Sequence, residues 1–163
     1  MRASAGPALV LALALVSASC GSLAKPPASP TTAPSRISTA SAYDDAILAL
    51  VNAHRQSIGR AALASTEVIW AQANQHSRNM AAGAVAFGHD GFDARSGAIF
   101  AALGSAGTVS ENIATGQASA ESVVAGWLTS PAHKANIESS ATHTGVSAVQ
   151  SAAGVWYYTQ IFY

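Results

Sequence analysis

The stretch from His143 to Tyr163 reads "HTGVSAVQSAAGVWYYTQIFY", and it decides the fold. Val146, Ala148 and Gln150 alternate as residues of a strand do, with small residues between them. Ser151 to Gly154 supplies a turn. Beyond it, Val155, Trp156, Tyr158, Thr159, Ile161 and Phe162 are β-branched or aromatic, which suits a pleated and partly buried surface. The stretch predicts a β-hairpin. Everything upstream of it that has a period has a helical one, so helices come first and an antiparallel pair comes last. That order predicts an α+β domain over 43–163 in which helices cover the sheet.

Three capped or glycine-stopped helices stand out ahead of the hairpin. In "YDDAILALVNAHRQSIG", Ile47, Leu48, Leu50 and Val51 recur at helical spacing, Asp44 and Asp45 fall in the predicted first turn, and Gly59 stops the run. In "STEVIWAQANQHSRNMAAG", Ser65 or Thr66 is the cap, Glu67 suits the positive end, and Gly83 ends the helix. Its inward stripe is Ile69, Ala73, His76 and Met80. A histidine on an apolar stripe is more often a satisfied core residue than a ligand. "SAESVVAGWLTS" is the third, capped by Ser119.

The sequence then breaks. "GWLTSPAHKANI", from Gly126 to Ile137, carries a Ser-Pro pair that ends one helix and opens a short second one. His133 falls in the first turn of that second helix. The free N–H groups there disfavour a protonated imidazole. A neutral His133 is free to accept a hydrogen bond or ligate a metal, and equally fits a plain solvent-facing role.

Two more candidates lie between the helices. Gly88-His89-Asp90-Gly91 is a glycine-bracketed turn that holds His89 in a loop, and Ala94 to Leu103 reads as a short helix. "SENIATG" then places Glu111 in an extended segment, between the apolar Val109 and Ile113. A carboxylate in that setting needs a partner if it is buried. Common catalytic signatures are missing: there is no HExxH, GxSxG, P-loop or GxGxxG. His143, just before a strand, reads as a surface residue, and Trp127, Trp156 and Tyr158 as core.

Ahead of the domain, "MRASAGPALVLALALVSASC" has an early arginine, an apolar run from Ala8 to Val16 and small residues before Cys20. This is the layout of an export signal, too short to span a membrane. Cys20 is the only cysteine, so no intramolecular disulfide is available. "SASCGS" resembles a bacterial lipobox, with Ser17 where leucine is usual. Residues 21–42, rich in Pro, Ser, Thr and Ala, read as a tether. The expected location is the outer face of a membrane, as a lipoprotein, or secretion. Formal net charge is zero, and the domain carries more acids than bases, so no basic stripe exists to meet nucleic acid.

At "FGHD", "SENIATG", "GWLTSPAHKANI", "HTGVSAV" and "WYYTQIF", in that order, the chain resembles the bacterial branch of the CAP superfamily. That superfamily holds cysteine-rich secretory proteins, antigen 5 and pathogenesis-related proteins, and is also called SCP-like. Asn52, Arg55, Gly59 and Leu63 resemble its first helix, and His76 with Met80 its second. The resemblance implies an α-β-α sandwich with a surface cleft lined by His89 and Glu111. The second glutamate of eukaryotic members is missing, since Leu128-Thr129-Ser130 stands in its place, and the residue before Glu111 is Ser110 rather than glycine. His133 is the bacterial-type histidine expected to face Glu111 and His89 across the cleft, with Asn136-Ile137 anchoring its helix to the sheet. His89, Glu111 and His133 would suit zinc, at modest affinity, with a water as fourth ligand. The implied function is binding of a small lipid, glycan or wall fragment. The alternative is a hydrolytic or metal-assisted enzyme using the same His-Glu-His cleft.

Overall fold

The computed structural model describes residues 39–163. The export signal, Cys20 and the tether up to residue 38 lie outside the described residues. Within them the elements run α1 (Thr39–Ser57), β1 (Ala64–Ser65), α2 (Glu67–Ala81), α3 (Phe92–Leu103), β2 (Ser110–Thr115), α4 (Ala120–Thr129), α5 (Pro131–Ile137), β3 (His143–Gln150) and β4 (Trp156–Phe162).

The hairpin forms as its alternation predicts, with Val146 opposite Gln160 and Ala148 opposite Tyr158. It is the centre of a four-stranded sheet ordered β1-β3-β4-β2. β2 joins β4 antiparallel, and the two-residue β1 joins β3 in parallel, so the sheet is mixed rather than purely antiparallel. Because successive side chains point to opposite faces, the strands serve two cores. On one face Ala114, Val146, Ala148, Tyr158 and Phe162 pack with Ile47 and Val51 of α1 and Val123, Val124 and Trp127 of α4. On the other, Ile161 packs with Ile69 and Ala73 of α2 and Ile99 of α3. Helices therefore cover both faces.

The helix signals are largely met. Thr66 caps α2 by accepting from Ile69 N, and Ser119 caps α4 in a reciprocal box with Ser122. Pro131 occupies the first turn of α5 as expected, but the Ser130 side chain makes no cap hydrogen bond. α3 begins at Phe92, directly after Gly91, whose φ of 77° needs a glycine. α1 starts earlier than the sequence suggests, which moves Asp44 and Asp45 out of its first turn. Asp44 is no dipole partner. It is buried, and accepts from Trp70 Nε1 at 3.0 Å and Ala148 N at 2.7 Å, tying α1 to α2 and β3.

Two further joints position α2 and α5. A Cβ on Gly145 would overlap the backbone of Ile69 and Trp70, so the first turn of α2 sits directly on β3 at this glycine. Arg55, fully covered, donates to the carbonyls of Ala61, Ile137, Ser139 and Ala141, and so fastens α1 to the end of α5 and the segment leading into β3. Burial lowers its pKa, with Arg60 adding to the effect.

Candidate functional site

Glu111 lies on β2 opposite Ile161, so it points to the α2/α3 face. Its side chain is 1% exposed, and the charge needs a partner. Arg95, one helical turn before Ile99 on the inward stripe of α3, supplies it. Arg95 Nε donates to Oε2 at 2.8 Å and Nη2 to Oε1 at 2.7 Å, a two-pronged charge-assisted pair. His89 Nδ1 meets Oε1 at 2.9 Å. His76 Nε2 stands 3.9 Å from the same oxygen and is bonded instead to Gly88 O at 2.8 Å. The predicted pairing of Glu111 thus forms with His89, while its chief partner, Arg95, is absent from the sequence expectation. The signal existed: an arginine on an apolar stripe and a lone carboxylate between apolar neighbours each call for the other.

The same two side chains grip the loop that carries His89. His76 holds Gly88 O, and Arg95 holds Asp90 O at 2.8 Å and His89 O at 3.5 Å. Since Glu111 is clamped as a carboxylate by Arg95, the His89 Nδ1 bond has the imidazole donating. In the neutral ring the lone pair then sits on Nε2, the nitrogen left free to accept a hydrogen bond. His89 is half exposed, so that nitrogen is reachable. Burial pushes the His76 imidazole below its ordinary range, Arg95 adds to this, and the Gly88 carbonyl and Glu111 oppose it.

His133 does not join this cluster. Asn112 and Glu111 point to opposite faces of β2, and α5 is tied to the Asn112 side: Asn112 Nδ2 donates to His133 O at 3.1 Å, and Asn136 Nδ2 to Asn112 Oδ1 at 2.9 Å. Asn136 and the buried Ile137 anchor α5 to the sheet as anticipated. His133 makes no hydrogen bond to Glu111 or His89, yet it lies near enough to His89 to feel its charge. The imidazole makes no hydrogen bond among the described residues and lies in a groove of about 340 Å³ with Phe87, Ile113, Gln117 and Trp127. Burial lowers its pKa, and nearby His89 lowers it further, so His133 is neutral at neutral pH. His143 begins β3 and bonds to Thr142, away from this site. Trp127 and Tyr158 are core, and Trp156 is half-buried against Tyr43.

The donor set does not fit zinc. Among the described residues no three His, Cys, Asp or Glu side chains are grouped to hold a metal ion. Both oxygens of Glu111 face a bound guanidinium.

Comparison with known proteins agrees with this architecture. The family model described as CAP, cysteine-rich secretory protein family, matches residues 48–162. An uncharacterized Bacillus subtilis protein, YkwD, is 35% identical over 134 residues, 77% of this chain and 48% of that one. The chain thus spans about half the length of this curated relative. Among solved structures, an extracellular protein containing an SCP domain from Bacillus anthracis superposes with a TM-score of 0.64 at 24% identity, over 76% of this chain and 40% of that one. A cysteine-rich secretory protein of Staphylococcus aureus gives 0.62 at 15%, over 77% and 40%. An outer surface protein of Borrelia burgdorferi gives 0.61 at 16%, over 74% and 91%.

Proposed function

The chain belongs to the cysteine-rich secretory protein (CAP) family, and on that premise we propose that it is an exported binding module, tethered to the outer face of a bacterial membrane through Cys20, whose groove at Phe87 and His133 takes a small lipid-like ligand. The groove carries the reading. One wall is apolar, from Ile113, Ala114, Val123 and Trp127, with Phe87 at 51% exposure above it. An orphan acceptor lies in the same lining: Gln117 Oε1 is buried with no hydrogen-bond partner among the described residues. A buried unpaired acceptor costs about 1–3 kcal/mol, so a small turn of the Gln117 amide toward a ligand donor in the groove would be favourable. The neutral His133 adds a second polar contact without charge. An apolar body with an uncharged hydroxyl or amide head matches that lining better than a polar glycan or a charged wall fragment. Export is supported by the extracellular and outer surface proteins that share the fold.

A hydrolytic reading rests on one observation, the free Nε2 of His89 backed by the Glu111 carboxylate, an arrangement suited to a general base. No hydroxyl is bonded to His89 among the described residues, so the binding reading is preferred. Native mass spectrometry of the full chain purified from its own host tests it. The expected spectrum shows a non-covalent adduct of lipid size that is lost in Phe87→Asp. Bare protein from both versions would overturn the reading.

A further inference from the structure

A second cleft, of about 550 Å³, opens beyond the start of β2, between the loop from Ala106 to Val109, the end of α5 and the segment 139–142, with Tyr163 as one wall. Its volume lies within the range of small-molecule sites, roughly 300–1,000 Å³. Its chemistry differs from that of the His133 groove. Apart from the Tyr163 phenol, no ionisable side chain lines it, and hydroxyls and one carboxamide dominate. The hydroxyls of Thr108, Ser110 and Ser140 make no hydrogen bond among the described residues, so each can donate and accept.

Two groups in the cleft are held in fixed orientation. Asn136 commits its Nδ2 to Asn112 Oδ1 at 2.9 Å and Glu111 O at 3.4 Å, which leaves its own Oδ1 as an acceptor. The Tyr163 ring is pinned by its hydroxyl, which donates to Gly104 O at 3.0 Å, and by an edge-on contact with Phe100 at 6.3 Å. Gly107 lies so close over this ring that a Cβ would stand 2.9 Å from it. The cleft thus offers a rigid aromatic wall, a pre-aimed amide oxygen and several free hydroxyls, with no charged side chain. A charged ligand would lose its water there and find no charged side chain to pair with. A ligand dense in hydroxyls would have every polar group answered.

We propose that this cleft binds a neutral saccharide, at a site separate from the His133 groove. The test is a titration of the ¹⁵N-labelled full chain with the trimer of N-acetylglucosamine, set against the glucosamine trimer, whose amines are protonated. The neutral trimer is expected to give saturable shifts at Ser110, Asn136, Ser140 and Tyr163, and to leave Phe87 and Trp127 unmoved. The cationic trimer should bind at least tenfold more weakly. Ser140→Phe, an exposed position whose ring fills the cleft, should weaken the neutral trimer at least tenfold while the remaining spectrum stays in place. Absence of saturable shifts, equal affinity for both trimers, unchanged affinity in Ser140→Phe, or shifts confined to the Phe87–Trp127 groove would each overturn the proposal. None of these outcomes bears on the lipid adduct, so the two readings fail separately.

Discussion

Glu111→Gln removes one charge from the centre of the His89 cluster and keeps the side chain's shape. Arg95, 9% exposed, would then retain only the Asp90 and His89 carbonyls and whatever single bond the new amide accepts. Breaking one partner out of a buried ion pair costs about 3–5 kcal/mol, and the remaining amide bond places this case near the lower end. For a folded unit of this size, intermediate between the usual small and large domains, 1 kcal/mol moves Tm by about 4 °C. The expected fall is therefore about 12 °C by differential scanning calorimetry, against little change for Asp45→Asn on the exposed side of α1. The loop from Gly88 to Asp90 should exchange its amides faster, because the arginine that grips it has lost its anchor. Glu111→Gln combined with Arg95→Met should recover part of the loss, since no orphan charge then remains. A Tm within about 2 °C of the parent, or a double variant worse than the sum of the singles, would refute the pairing argument.

Other expectations follow from single observations. Gly145→Ala forces a Cβ into the backbone of α2 and should leave little soluble protein, whereas Gly126→Ala, in open space within α4, should be neutral or raise stability by about 0.5–1 kcal/mol; chemical denaturation compares the two. Burial lowers the folded-state pKa of both His76 and His133, so below pH about 6.5 the unfolded chain binds more protons. Stability should therefore fall as pH drops from about 7.5 to about 5.5, and His76→Gln with His133→Gln should flatten that profile; a Tm that rises on acidification contradicts the assignment. Cys20→Ala should move the protein out of the membrane fraction, because stable anchoring takes more than one acyl chain and Cys20 is the expected attachment point. Firm membrane retention of that variant would remove the lipoprotein reading.

The parts of the fold that depend on local order were legible. The hairpin, the caps at Thr66 and Ser119 and the Pro131 break are written in adjacent residues, and each forms where the pattern places it. The inward placing of His76 was legible from its stripe for the same reason. What failed was geometry across segments. Glu111 and Asn112, neighbours on an extended segment, face opposite sides of β2, but spacing gives no way to know that α5 is tied to the Asn112 side. His133 was expected to face Glu111 and His89; it bonds to neither and lines a groove with Phe87 and Trp127, near enough to His89 to feel its charge. Arg95 was missed because its partner lies sixteen positions along the chain, so the two halves of the signal stand in separate segments. Glu138, half-buried, meets His54 at 2.8 Å, another contact between distant segments.

A crystal structure of the full chain purified from its own host tests the central claim most directly. Continuous density is expected along Phe87, Ile113 and Trp127, with a polar end within hydrogen-bonding distance of Gln117 Oε1 and the His133 imidazole. A groove filled only by separate water molecules, with Gln117 Oε1 satisfied by one of them, would contradict it.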